Sequence, residues 1–160
     1  MMGLSDPEWA ALTISLRVAV WASLWALPVA MGVAYALSRG QFWGRQMLNI
    51  VVHLPLVLPP VVTGYVLLIL FGAQGPIGQA LGVLGLSVAF HWSGAALAAA
   101  VMVFPLMVRA MQLAFDAVDP KLEEAARSLG VGPIGIFVRV SLPLALPGVV
   151  VALIMGFAKA

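Results

Sequence analysis

The sequence predicts an all-α protein, a polytopic transmembrane helical bundle of about four spans with its N-terminus on the outer side of the membrane. Hydrophobic residues make up 63% of the 160 residues and charged residues only 9%, against about 25% charged in an average soluble domain. The few charges are separated by long uncharged intervals, and the basic ones fall in alternate loops. A soluble domain of this size has too little interior to hide so much apolar surface, so we expect lipid to surround it.

Uncharged intervals locate the spans. Arg17 and Arg39 bracket 21 uncharged residues, which as a helix cover roughly 30 Å, one hydrocarbon thickness. The same reasoning places the four spans at Val18–Ser38, Leu48–Phe71, Ser87–Val108 and Val140–Ala158. Glycine and proline between Gly72 and Leu86 interrupt regular structure and separate the second span from the third. In lipid each span must be a helix, because every backbone polar group needs an internal partner.

Basic residues orient the bundle. The loops Ser38–Asn49 and Arg109–Arg139 carry basic residues, whereas the loop Gly72–Leu86 carries none. Because basic loops stay on the cytoplasmic side, this order leaves the N-terminus outside. Arg17 then lies at the outer end of the first span, where its long side chain can reach the headgroups.

Three prolines, Pro55, Pro59 and Pro60, fall inside the second span. Each removes a backbone donor and disrupts a helix, so the span should be kinked or broken. Irregular backbone is tolerated at membrane depth only when it is buried in protein or lines a water-filled cavity. Thr63 and Gly64 follow the break, and helix starts favour anions. Two interpretations stay open: Pro59, Pro60, Thr63 and Gly64 line a translocation path for an anion, or they form a structural kink packed against a neighbour.

The loop Arg109–Arg139 contains a predicted cytoplasmic helix. Asp119 is a good N-cap, Pro120 suits the first helical position, and Gly130 suits the turn after the last. Glutamates 123 and 124 favour the positive end of the helix dipole. One face carries apolar residues at i, i+3, i+4 and i+7, namely Leu122, Ala125, Ala126 and Leu129. The helix either lies on its own bundle or the headgroups, or docks onto a partner; the two small alanines favour docking.

The sequence gives no support for enzyme chemistry. The chain lacks the G-x-x-x-x-G-K-[ST] loop that cradles ATP phosphates and the H-E-x-x-H metal motif, and it has no cysteine. Its two histidines, His53 and His91, lie far apart, and we expect each to cap or bridge helices, since metal sites usually need three or four ligands. We therefore predict no catalytic residue, no bound metal or cofactor and no nucleic-acid partner.

The cytoplasmic segment resembles a known motif, the EAA loop of binding-protein-dependent ABC importer permeases. The resemblance rests on anchors at fixed spacing: Glu124-Ala125-Ala126, Gly130 and Leu142-Pro143. Val140 stands where that pattern has isoleucine, a conservative difference. In that family the helix docks into a groove of the ATP-hydrolysing subunit and carries its movement into the membrane. The resemblance therefore implies an ATPase-coupling role for these residues and a partner ABC ATPase subunit that uses the ATP.

A finer resemblance extends over most of the chain. Five runs look like the permease subunits of molybdate importers, with sulfate permeases as close relatives: Asp6–Trp9, His53–Tyr65, Phe104–Ala110, Val118–Pro120 and Leu142–Gly148. The resemblance implies one MetI-like permease domain over residues 1–160, with a coupling loop at about 109–139, in the inner membrane and in contact with lipid. Members of that family continue beyond the fourth span, so we expect the chain to lack a C-terminal part.

This resemblance predicts the permease subunit of an ATP-driven importer of molybdate or tungstate. It also implies a homodimer and a periplasmic or extracellular oxyanion-binding protein as partner. Two alternatives stay open. The chain could be a permease for sulfate or thiosulfate, or a membrane scaffold whose cytoplasmic helix recruits a partner without transport.

Overall fold

The computed structural model describes residues 6–72, 74–83 and 92–160. Within these residues the chain is helical, and its elements follow in the order α1 (Asp6–Arg39), α2 (Arg45–Val57), α3 (Pro60–Phe71), α4 (Pro76–Val83), α5 (Trp92–Asp116), α6 (Pro120–Ser128), α7 (Pro133–Ile136), a π-helical turn (Phe137–Ser141) and α8 (Leu142–Lys159). Among them, four stretches are long and apolar enough to cross a membrane: Pro7–Arg39, Pro60–Ala80, Trp92–Asp116 and Pro133–Lys159. The prediction of a polytopic all-α bundle is confirmed.

Helices α1, α5 and α8 form the centre of the bundle, and α2 and α3 lie against its side. Helices α1 and α5 run parallel: Arg17 of α1 lies over Trp92 at the start of α5, and Ser38 of α1 bonds to Asp116 at the end of α5. This is the relative direction that the predicted topology requires for its first and third spans.

Helix α8 runs antiparallel to this pair. Phe137, just before α8, packs against Tyr35 near the end of α1. Ile154, near the end of α8, borders the same cavity as Val20 in the first half of α1. The fourth span therefore returns across the bundle, as its place after the coupling loop predicts.

Small side chains let these helices approach closely. Four buried alanines, spaced four residues apart, form a stripe along α1: Ala22, Ala26, Ala30 and Ala34. On α8, a Cβ atom added at Gly148 would overlap the Cβ of Ala114 in α5. Larger side chains of α5 fill the remaining space, and these are fully buried: Val103, Met107, Val108, Met111 and Phe115. Close packing matters here because burial from water supplies no driving force between helices already in lipid.

The helices differ from the predicted spans at their ends. Helix α1 is 34 residues long, about 50 Å, so Arg17 lies inside the helix rather than at its rim. Helix α5 continues to Asp116, so Arg109 belongs to a helix and not to a loop. A charge marks where a helix leaves the hydrocarbon, but the backbone hydrogen bonds continue into the polar layers, and this is why the predicted spans are too short.

The predicted connection between the second and third spans also contains structure. Part of Gly72–Leu86 forms the short helix α4, which begins at Pro76. Pro suits this position because a backbone N–H in the first turn of a helix has no partner within the helix, so its absence costs little. The first residues of the predicted third span, 87–91, lie outside the described residues.

Candidate coupling site

Helix α6 begins and ends as its sequence predicts. The Asp119 carboxylate accepts a hydrogen bond of 2.9 Å from the backbone N–H of Lys121, and Pro120 is the first helical residue. Gly130 follows the helix with a φ of +80°, a left-handed conformation that glycine adopts at low cost. The predicted cap and turn residues are confirmed.

The face that α6 turns toward the bundle is not the predicted apolar stripe. Glu123 and Ala126 are buried, whereas Leu122 and Leu129 are 48% and 84% exposed. Of the predicted stripe only Ala126 faces the bundle, so the stripe as a whole does not pack on the chain's own spans, and its docking onto a partner stays a prediction. The reason is that Glu123 finds polar partners inside the protein and can be buried with its charge. The two sides of α6 consequently differ: one is fixed to the bundle, and the other is exposed and carries apolar side chains among charged ones.

The residues of the EAA pattern divide between these two sides. Glu124 and Ala125 are exposed and Ala126 is buried. The structure brings Gly130 to the end of the same helix, while Leu142 and Pro143 lie further along, at the start of α8. The coupling residues thus occupy one end of the bundle, on α6 and at the point where the chain re-enters the membrane.

A charged and hydrogen-bonded cluster lies beneath α6. The Arg39 Nε atom lies 3.0 Å from Glu123 Oε1, and Arg39 Nη2 donates a 2.7 Å hydrogen bond to the Val118 carbonyl. The Ser141 hydroxyl donates a 2.8 Å hydrogen bond to the same Glu123 oxygen. We call Arg39, Glu123 and Ser141 the polar cluster. It joins the end of α1, the first turn of α6 and the π-helical turn that precedes α8.

Sequence reasoning missed the polar cluster. Glu123 is separated from Arg39 by 84 positions and from Ser141 by 18, and no local pattern relates residues so far apart. The available signal was weak. Two adjacent glutamates stand out in a chain with few charges, but a role at the helix dipole applies equally to both and does not indicate which one is buried.

Three aromatic rings pack near the polar cluster. The ring centroids of Tyr35 and Phe137 are 4.7 Å apart and those of Tyr35 and Phe115 are 5.4 Å apart, both edge to face. Tyr35 precedes Arg39 by one turn of α1, and Phe137 precedes Ser141 by about one turn. Edge-to-face aromatic pairs add to the apolar burial, so the rings hold the end of α1 and the π-helical turn, which also meet at the polar cluster, together with the end of α5.

The Leu142-Pro143 pair explains the π-helical turn. Pro143 has no backbone N–H, and its ring crowds the carbonyl of Arg139, four residues earlier. The helix responds with a π-turn, in which the Leu142 N–H bonds to the Phe137 carbonyl five residues back. Ser141 lies in this turn, 1% exposed, and directs its hydroxyl to Glu123. Pro143 therefore shapes the backbone where the coupling loop returns to the membrane.

The break in the second span is confirmed. It lies at Leu58 and Pro59, between α2 and α3. Pro55 is accommodated inside α2, whereas Pro59 precedes α3 and Pro60 is its first residue. The prolines therefore differ in effect, and the adjacent pair is the one that separates the two half-helices.

Thr63 and Gly64 lie at the start of α3. Thr63 is buried, and its hydroxyl has no hydrogen-bond partner among the described residues. Its backbone N–H is already bonded to the Pro59 carbonyl, at 3.2 Å. Gly64 is half-buried, and a Cβ atom there would meet nothing within 4 Å. A buried hydroxyl without a partner requires an explanation, and a translocation path is one. The role of Pro59, Pro60, Thr63 and Gly64 in such a path stays a prediction.

The histidines differ from their predicted role where they are described. His53 Nδ1 lies 2.8 Å from the Asn49 carbonyl of its own helix, so this contact neither caps nor bridges helices. His91 lies outside the described residues. Across residues 6–72, 74–83 and 92–160, no group of three or more histidine, cysteine, aspartate or glutamate side chains could hold a metal ion.

The fold defines a multi-pass membrane protein whose short helix α6 lies outside its four apolar stretches. Residues 26–160 match the family of binding-protein-dependent transport system inner membrane components, and the chain belongs to that family. It is therefore a multi-pass protein of the inner membrane, and it is a transport subunit rather than an enzyme.

Similar proteins cover nearly the whole chain. It is 52% identical over 159 residues to the molybdenum transport system permease protein ModB of Escherichia coli (strain K12), which aligns 99% of this chain with 69% of that protein. It is 49% identical over 153 residues to ModB of Haemophilus influenzae, with 95% and 67% aligned. It is 35% identical over 150 residues to a probable sulfate transport system permease protein, cysT, of Nephroselmis olivacea, with 94% and 53% aligned. The predicted resemblance to molybdate permeases, with sulfate permeases as relatives, is confirmed.

Proposed function

We propose that this chain is the membrane-spanning subunit of an ATP-driven importer that carries molybdate, or the similarly tetrahedral tungstate, across the inner membrane. A separate ABC ATPase subunit hydrolyses the ATP, and an external binding protein delivers the oxyanion. The chain itself contributes the passage and the helix through which the ATPase acts.

The observation that carries this proposal is the exposed side of α6. Leu122, Ala125 and Leu129 are exposed, while Glu123 holds the opposite side to the bundle. Exposed leucines on a helix outside the spans favour an interaction site. Because α6 is bonded to both α1 and the segment before α8, a partner that displaces α6 acts directly on the spans.

Two observations support the substrate. The relatives with about half of their aligned residues identical are designated molybdenum permeases, and the sulfate permease is less similar. A dianion inside an apolar layer also needs dipoles near it, because an unpaired buried charge is very costly. The broken second span supplies neutral ones at the start of α3, where the Thr63 hydroxyl lies without a hydrogen-bond partner among the described residues.

We further propose that two copies of the chain form the passage around a twofold axis. Of the 12 residues of α3, only Thr63 is buried, although most of the segment is apolar. Such a surface needs either lipid or a second copy to cover it. Cross-linking in membranes should capture a dimer, and an active transporter that yields only monomer would contradict this arrangement.

The test of the proposed function is uptake. The chain is produced with its ATPase and binding protein in cells that lack their own molybdate permease, and the uptake of radiolabelled molybdate is measured. We expect uptake that requires ATP and that excess tungstate inhibits more strongly than excess sulfate.

The same experiment separates the alternatives. Uptake of sulfate or thiosulfate without molybdate would identify a sulfate-type permease. A stable complex with a cytoplasmic partner, without ATP hydrolysis or uptake, would identify a scaffold. Either result contradicts the proposed function.

A further inference from the structure

The polar cluster is costly to bury, and the cost indicates a role beyond stability. The side chains of Arg39 and Glu123 are 20% and 8% exposed, so the ion pair lies largely out of water. A buried pair of this kind contributes little net stability, because the desolvation of both ions offsets their attraction. Apolar side chains of similar volume would hold α6 against the bundle at least as well. The charges therefore need another explanation.

The bonding pattern supplies one. A single oxygen of Glu123 accepts hydrogen bonds from both Arg39 Nε and the Ser141 hydroxyl. Arg39 is the last residue of α1, and Ser141 directly precedes α8. Charge-assisted hydrogen bonds fix orientation as well as distance, whereas apolar contacts allow side chains to slide. One side chain of α6 is thus bonded, with a defined direction, to two membrane spans.

A further bond extends this connection along the coupling loop. The Arg39 guanidinium also binds the carbonyl of Val118, the residue before the N-cap Asp119. Arg39 consequently contacts the loop both ahead of α6 and within its first turn. Rotation of α6 about its start would have to break or carry along the end of α1.

We propose that Glu123 is the positioning residue of the coupling loop and that, through Arg39 and Ser141, it transmits a displacement of α6 to the ends of α1 and α8 together. This inference rests on the proposed function, because it presumes an ATPase that moves α6. It gives the adjacent glutamates different tasks: Glu124 is exposed toward the partner, and Glu123 is buried toward the bundle. It also gives Pro143 an indirect task, since the π-turn places Ser141 against Glu123.

The decisive measurement is molybdate uptake per ATP hydrolysed, in vesicles that contain the complete transporter. The double variant Arg39→Gln/Glu123→Gln removes both charges and leaves no uncompensated ion in the bundle, so assembly should survive. We expect its ATP hydrolysis to stay within about twofold of the parent chain, while uptake per ATP falls about tenfold or more. The matched control is Arg45→Gln, which removes an exposed arginine at the start of α2, close in sequence to Arg39, and should leave the ratio unchanged.

A milder pair of variants tests the bond to the fourth span alone. Ser141→Ala removes one hydroxyl and keeps the ion pair, and we expect uptake per ATP to fall about threefold, as for the loss of one hydrogen bond. Ser128→Ala is the control, because its hydroxyl bonds only to the Glu124 carbonyl of its own helix.

Each outcome decides the matter. A double variant with the parent's uptake per ATP would overturn the proposal and leave the cluster a packing role only. If the double variant fails to assemble, an unchanged ratio for Ser141→Ala overturns it instead. A parent transporter that hydrolyses ATP but takes up no oxyanion contradicts the proposed function rather than this inference, so the two failures are distinguishable.

Discussion

The guanidinium carbon of Arg17 lies 4.1 Å from the centre of the Trp92 ring. This contact joins α1 to the start of α5 at the end of the bundle opposite the polar cluster. Trp92 also packs against Trp21, with ring centroids 6.4 Å apart. Arg17, which was expected to extend to the headgroups, therefore also holds two spans together.

The first prediction concerns this contact. Arg17→Gln should lower the free energy of unfolding by about 0.5 to 2 kcal/mol, the range of a partly desolvated cation–π pair. Arg17→Lys should keep part of this stabilisation, because it keeps the positive charge. The measurement is the melting temperature of the purified protein in detergent, with Arg45→Gln as the control. Equal melting of Arg17→Gln and the parent chain would show that the contact contributes nothing.

Gly130 allows a test of the turn after α6. A Cβ atom there meets nothing within 4 Å, but the φ of +80° is unfavourable for other residues. The cost of Gly130→Val is therefore one of backbone conformation, about 1 to 2 kcal/mol, and it should weaken association with the ATPase and lower uptake. Gly130→Asn should stay close to the parent, since asparagine tolerates left-handed backbone. Unchanged uptake of Gly130→Val at equal membrane abundance would contradict the prediction.

Gly148 and Ala114 allow a test of helix packing by rescue. Gly148→Ala places a methyl group where the Ala114 side chain already lies, and we expect it to destabilise the bundle by about 1 to 3 kcal/mol, as overpacking does. Adding Ala114→Gly frees that space and should recover most of the lost stability. The measurement is detergent melting of the two single variants and the double. A double variant no more stable than Gly148→Ala would mean that α5 and α8 do not meet at this point.

The orientation in the membrane is still a prediction and can be tested directly. The chain has no cysteine, so single cysteines at Ser128 and Gln79, both exposed, report without background. An impermeant thiol reagent, added to cells with a permeabilised outer layer, should label position 79 and not position 128. Labelling of position 128 would reverse the topology and remove α6 from the cytoplasm.

Thr63 separates a path residue from a packing residue. Thr63→Val keeps the shape and removes a hydroxyl that has no partner in the described part of the chain. If the hydroxyl lines the path, uptake should fall while the preference between molybdate and sulfate stays the same, because selectivity would reside in the external binding protein. If the hydroxyl has only a structural role, the substitution should instead stabilise the protein by about 1 to 3 kcal/mol, because it removes an unsatisfied buried group. A switch of preference would show that this subunit reads the anion itself.

Local chemistry explains which features were predictable. The adjacent prolines at 59 and 60 interrupt any helix, and Asp119 and Gly130 are residues that caps and left-handed turns require. These features depend on a few neighbouring residues, and the sequence contains them all.

The features that were missed depend on distance. Glu123 was given only a role at the helix dipole, whereas its burial depends on Arg39, which lies 84 positions away. The outer end of α1 was missed because Arg17 was taken to end the span, whereas a ring on α5 accommodates the charge. In both cases a charge was judged by itself, although its environment is set by a partner that no local pattern reveals.

The alanine stripe of α1 reverses the usual relation between side-chain size and tolerance. In the core of a water-soluble protein, truncating a large residue does the most harm, because it leaves a void. At Ala26, Ala30 and Ala34 the neighbouring helices already lie against the smallest chiral side chain, so there is little to lose by truncation and much by enlargement. During evolutionary drift these positions should keep a size ceiling, while the bulky residues that face the lipid interchange freely.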